Sequence, residues 1–217
     1  MLQVIFDIDG TLVESYDFDE QCFIDSIKAV TGLKVSNDWQ NYPHLTDTGI
    51  LKTFIARQAP SYSLQDLEPL VKSVFIDKID HYLNSNSVNQ VAGAVEFLKY
   101  LSARDDVKLG IATGGWGETA RAKLLSAGFD LEGIALRSSN DHYSRTEIMR
   151  LVAADIELNL KASISYFGDA VWDLKACQEL GFNFIAVGSR LEHQQAITDF
   201  KDIDKAIEII SNKKSAA

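Results

Sequence analysis

The chain alternates short apolar runs with longer stretches in which apolar residues recur every three or four positions. Val4, Ile5 and Phe6 form one continuous run, the pattern of a strand covered on both faces. Similar runs predict strands at VKLGIATGG (107–115), SISYFGDA (163–170) and NFIAVGS (183–189), with a weaker one at IALRSS (134–139). Between them the period lengthens to that of a helix. Val91, Val95, Leu98 and Leu101 predict a helix within 88–104. Ala120, Leu124 and Ala127 predict another over 117–129, stopped near Gly128. Ser144 followed by Glu147 reads as a capping box that opens a helix over 144–156. Leu174, Cys177 and Leu180 form the apolar face of a helix ended by Gly181, and DIDKAIEIISN (202–212) is expected to be the last helix. The terminal SNKKSAA is expected to fray. Strands alternating with helices of these lengths argue for a parallel α/β sheet.

Residues 16–87 break this alternation. They show helical stripes and no strand pattern: Phe18, Cys22, Ile27 and Val30 before Gly32, then Leu51, Phe54 and Ile55 before Pro60, then Leu64, Leu67, Val71, Val74 and Phe75. The expectation is a Rossmann-like parallel sheet core, residues 1–15 and 88–217, interrupted by a small α-helical cap domain, residues 16–87.

Composition narrows the chemistry. A net charge of -10 disfavours nucleic acid and anionic lipid as partners. No apolar run approaches a membrane span, two cysteines do not make a disulfide framework, and no signal-peptide pattern is present. A cytoplasmic location is expected. The sequence is silent on oligomeric state.

Against this background the ends of the predicted strands stand out. The first runs into Asp7-Ile8-Asp9-Gly10-Thr11, the second into Ala112-Thr113-Gly114-Gly115, and the strand near 163–167 into Gly168-Asp169, with Asp173 four residues on. Ligands of open parallel sheets bind beyond the carboxyl ends of the strands. The four aspartates Asp7, Asp9, Asp169 and Asp173 are therefore expected to converge there. Buried carboxylates in such numbers need a cation, and oxygen donors suit Mg²⁺. The Thr113 hydroxyl and the amides of Gly114 and Gly115, at a helix start, suit a phosphate. Arg145 is the candidate positive side chain, with Lys175 or Arg137 in reserve. Thr46 and Asp47 are expected to cap a helix rather than reach the substrate. Trp116 and Trp172 are read as pocket wall or packing, and Glu14 and Ser15 as hinge or pocket residues.

FDIDGT, the ATGG strand end, a basic residue on the next βα unit and GDAVWD together resemble the four signatures of the haloacid dehalogenase superfamily. The helical insertion resembles its phosphoglycolate phosphatase and β-phosphoglucomutase neighbourhood. The resemblance implies an enzyme, a Mg²⁺-dependent phosphatase acting on a small phosphorylated metabolite. Asp7 is then the nucleophile that forms an aspartyl-phosphate. Asp9 is the general acid and base and lends its backbone carbonyl to the metal. Asp169 is a metal ligand, and Asp173 acts nearby or through water. Thr113 and Arg145 hold the phosphoryl oxygens, Arg145 standing where the family more often has lysine. A sugar phosphomutase has the same core residues. A receiver domain is shorter and lacks the insertion, and a non-enzymatic phosphate-binding protein would not need the intact set of aspartates.

Overall fold

The computed structural model describes residues 1–156 and 163–211. The tail expected to fray lies outside them from residue 212 onward. Six parallel strands form one sheet in the order β3-β2-β1-β4-β5-β6. They are β1 (Leu2–Phe6), β2 (Val107–Ala112), β3 (Ala135–Arg137), β4 (Ile164–Gly168), β5 (Asn183–Val187) and β6 (Ala196–Ile197). β1 lies between β2 and β4, with Phe6 opposite Ile111 on one side and Phe167 on the other. That central place explains its unbroken apolar run: Val4, Ile5 and Phe6 are all fully buried.

Helices cover both faces. α4 (Ala94–Ser102), α5 (Gly117–Ser126) and α8 (Ile203–Ser211) pack on one side, where Phe6 and Phe167 stack with ring centroids 5.0 Å apart among Phe97 and Phe200. α6 (Arg145–Ile156) and α7 (Val171–Leu180) pack on the other around Ile5, Tyr166 and Ala186. Chain order reverses between β1 and β4, so the crevice of this doubly wound sheet opens where those two strands end.

Between β1 and α4 the chain forms α1 (Tyr16–Thr31), α2 (Asp47–Gln58) and α3 (Leu64–Ser85), with a short 3₁₀ turn at Trp39–Asn41. Their inward faces build a separate apolar cluster from Phe23, Ile27, Leu51, Phe54, Leu67, Val71, Phe75 and Ile79. One core residue enters it: Trp116, fully buried against Phe23 and Phe75, each with a centroid distance of 5.8 Å.

Several expectations shift in detail. The helix within 88–104 begins only at Ala94, because Gly93 adopts φ +80° and Val91 precedes it. α3 runs on to Ser85, nearly three turns past the stripe read from sequence. β6 is two residues long, too short for any periodicity, and passes unseen in the sequence. The capping box does not form. The Ser144 amide donates to His142 Nδ1 at 3.0 Å, and Glu147 pairs with Arg150 instead.

Candidate active site

Three strand ends and one helix start meet at the crevice. Asp7 follows β1, Thr113 follows β2, Asp169 follows β4, and Asp173 sits on the first turn of α7. Ligand oxygens of Asp7, Asp169 and Asp173 lie within 4.8 Å of one another, and all three residues are buried. Close backbone approach makes this possible. Gly10 has φ +83°, and a Cβ there would stand 2.3 Å from Asp169 Oδ2.

Arg145, the first residue of α6, reaches into this group. Its Nη1 donates to Asp7 Oδ1 at 3.1 Å and to Asp173 Oδ1 at 2.7 Å. Gly114 gives it room, since a Cβ at that position would meet Arg145 Nη2 at 2.6 Å. Arg137 points elsewhere, to Asp141 and Asp155, and Lys175 lines an outer cavity. Thr113 is buried, and its Oγ1 accepts the Gly115 amide at 3.1 Å.

Of the four carboxylates expected to converge, Asp7, Asp169 and Asp173 bring oxygens together in one group. Asp9 lies on the same cavity as Asp7, with its Oδ1 taken up by Ser15 Oγ and Lys123 Nζ, both of which donate to it. The reason is charge. Lys123 is an ammonium buried on the inner face of α5, and such a group must be paired. Its second partner is Asp19 of α1. Burial works against the charge of Lys123, but Asp19 and Asp9 outweigh it and hold its pKa high.

The carboxylate group itself is under-neutralised. Burial, reinforced by the charge of Asp7, pushes Asp169 up to about 7, although Arg190 donates to its Oδ2 at 3.0 Å. Burial likewise raises Asp7, with Asp173 adding to it and Arg145 opposing. It also raises Asp173, against Arg145. Asp173 Oδ2 is buried without a hydrogen-bond partner among the described residues. Three oxygen donors, an orphaned oxygen and carboxyls driven toward their neutral forms fit a hard divalent cation such as Mg²⁺.

A cavity of about 110 Å³ opens from this group toward α1 and α2. Asp7, Asp9, Thr113, Gly114, Gly115 and Arg145 form its floor, and the opposite wall includes Asp19, Glu20, Phe23, Trp39 and Asp47. Thr46 caps α2 as expected: Oγ1 accepts the Gly49 amide at 3.0 Å and donates to Tyr143 O at 2.6 Å. Asp47 faces the cavity and accepts the Trp116 amide at 2.7 Å, so a helix of the insertion caps the start of α5. Trp172 lines the cavity, whereas Trp116 is packing.

Lys123, Asp19, Tyr166 and Arg190 escape the sequence reading. Lys123 alone left a signal, because it shares a helical face with Ala120, Leu124 and Ala127, where a charge is out of place. Tyr166, whose Oη lies 3.1 Å from Asp173 Oδ1, looks like any strand aromatic.

A family model described as haloacid dehalogenase-like hydrolase matches residues 4–187. No curated protein matches the chain. Among solved structures, a hydrolase from Pseudomonas syringae superposes with a TM-score of 0.75 at 19% identity, covering 96% of this chain and 98% of that one. β-Phosphoglucomutase from Clostridium difficile gives 0.71 at 14% identity, covering 97% and 98%. CbbY from Rhodobacter sphaeroides, solved with phosphate, gives 0.69 at 16% identity, covering 94% and 96%. At these identities the likeness is one of fold. No described helix is long and apolar enough to cross a membrane.

Proposed function

The chain belongs to the haloacid dehalogenase-like hydrolase family, and from that membership we propose that it is a Mg²⁺-dependent phosphatase of a small phosphate monoester. The observation that carries this reading is the meeting of buried Asp7, Asp169 and Asp173 with Arg145 at one end of the sheet. Residues 16–87 serve as the cap that shields the reaction from bulk water.

Asp7 is the nucleophile. Arg145, the Thr113 hydroxyl and the amides of Gly114 and Gly115 hold the phosphoryl oxygens. A bond forms between Asp7 and phosphorus as the ester P–O bond breaks, and the leaving oxygen takes a proton from Asp9. Water then attacks phosphorus and gives its proton to Asp9, and the bond to Asp7 breaks. The sum is ester plus water to alcohol plus phosphate. Mg²⁺, held by Asp7, Asp169 and Asp173 with the Asp9 backbone carbonyl, would screen the negative charge gathered there.

The cavity wall on the cap side bears on the substrate. It carries Asp19, Glu20 and Asp47, and Arg145 is the sole basic residue among the described lining residues. A leaving group with its own carboxylate or a second phosphate would face Glu20 and Asp47, the charge of Asp19 being offset by Lys123. The proposed substrate is therefore an ester of a neutral or positively charged alcohol.

A screen of phosphorylated metabolites with Mg²⁺, scored by released phosphate, tests this. Esters of polyols and amino alcohols are expected to turn over, and chelation of the metal to stop them. Preference for bisphosphates or phosphorylated carboxylic acids would overturn the substrate class. Absence of phosphate release from every ester would overturn the phosphatase. A sugar phosphomutase uses the same core residues, and isomerised product in place of free phosphate would identify one.

A further inference from the structure

Lys123 has no place in the chemistry above, and the fold gives it no other work. It is 1% exposed on the inner face of α5, beside Ala120 and Leu124, where an aliphatic side chain would pack. Burying an ammonium there is costly, and among the described residues Asp9 and Asp19 are the anions that offset the cost. These two residues come from different parts of the molecule. Asp9 follows β1 in the core, and Asp19 lies in the first turn of α1, just beyond the point where the chain enters the insertion.

The contacts on Asp9 are one-sided. Ser15 Oγ and Lys123 Nζ both engage Oδ1, and no hydrogen bond reaches Oδ2 among the described residues. Asp9 lines the cavity together with Asp7. One oxygen is thus clamped, and the other has no partner among the described residues.

We propose that Lys123 is a positioning residue for Asp9, clamping Oδ1 so that Oδ2 meets the leaving oxygen, and that Asp19 ties this alignment to the first helix of the cap. The inference rests on the phosphatase reading and on the role of Asp9 in it. While the cap sits on the core, Asp19 and Asp9 share one ammonium and Asp9 is aligned. When α1 moves away, Lys123 loses one of its two anions and the clamp loosens. Proton transfer by Asp9 is then confined to the state in which the cavity is covered.

Leaving groups of different basicity test this. p-Nitrophenolate departs without a proton, whereas phenolate, of nearly the same size, needs one far more. The ratio kcat/KM reports the steps up to transfer onto Asp7 and omits later hydrolysis. Both esters are assayed with the Mg²⁺-loaded wild type, Lys123→Met, Lys123→Arg, Asp19→Asn and Asp9→Asn.

Lys123→Met is expected to lose at least tenfold more kcat/KM on phenyl phosphate than on p-nitrophenyl phosphate. Asp9→Asn should show the same disparity, Asp19→Asn a smaller one, and Lys123→Arg a partial rescue. Equal losses on the two esters in Lys123→Met, beside a clear disparity in Asp9→Asn, would assign Lys123 to stability alone and overturn the proposal. If Lys123→Met does not fold, Asp19→Asn and Lys123→Arg decide in the same way. No disparity in Asp9→Asn would instead remove Asp9 from the proton transfer, and the positioning role with it.

Discussion

At the scale of single residues, the proposed chemistry rests on Asp7 and Arg145. Asp7 is 4% exposed and stands against Arg145 at 3.1 Å. Asp7→Asn keeps the shape and removes the proposed nucleophile. Turnover is expected to fall below detection while the circular dichroism spectrum stays that of the wild type, and a retained rate would refute covalent catalysis at Asp7. Arg145→Ala is expected to lower kcat by roughly 10²–10³, the usual loss for a preorganised group that stabilises transition-state charge. A steady-state assay measures it, and an unchanged kcat would move the positive role elsewhere. The aspartates were legible in the sequence because a carboxylate at the end of a buried strand is costly unless it binds a cation or a partner. The orientation of Asp9 was not. It depends on Lys123, 114 positions away along the chain, and on a charge balance that no local pattern encodes.

At the scale of elements, the central strands and the helices after them followed their periodicity, because burial on both faces of β1 makes Val4, Ile5 and Phe6 an unbroken apolar run. Where sequence and structure part, a single residue usually decides. Gly93 postpones α4 by adopting a left-handed backbone, and His142 captures the amide that the capping box requires. Thr46 belongs to this scale too. It caps α2 and reaches from the insertion to Tyr143 O in the core. Thr46→Ala loses both bonds and is expected to cost about 1–3 kcal/mol. The measurement is the urea midpoint at constant m-value, and an unmoved midpoint would show that neither bond contributes.

At the scale of the whole molecule, stability should depend on pH and metal together. Burial raises Asp169 to about 7, and it raises Asp7 and Asp173 also. Each group therefore binds its proton more tightly folded than unfolded. The resulting stability is complete below the unfolded value of about 4 and is lost as pH rises through about 7. Metal-free protein should weaken across that interval. Mg²⁺ competes with those protons, so its stabilising effect should be small at pH 5 and large at pH 8. Thermal unfolding with Mg²⁺ or with chelator at both pH values tests this, and an equal rise in Tm at both would place the ion away from these carboxylates.

The sequence by itself determined which residues are apolar and at what period, and so the parallel sheet, the helical interruption after β1 and the acidic strand ends. Those properties are local, since a run of buried positions carries its own signature. Only the tertiary structure decided which carboxylates share a site. That follows from β1 lying between β2 and β4, from Gly10 and Gly114 letting Asp169 and Arg145 close in, and from a buried ammonium holding one oxygen of Asp9. Electrostatic energy depends on distance and burial, and neither exists until the chain has folded.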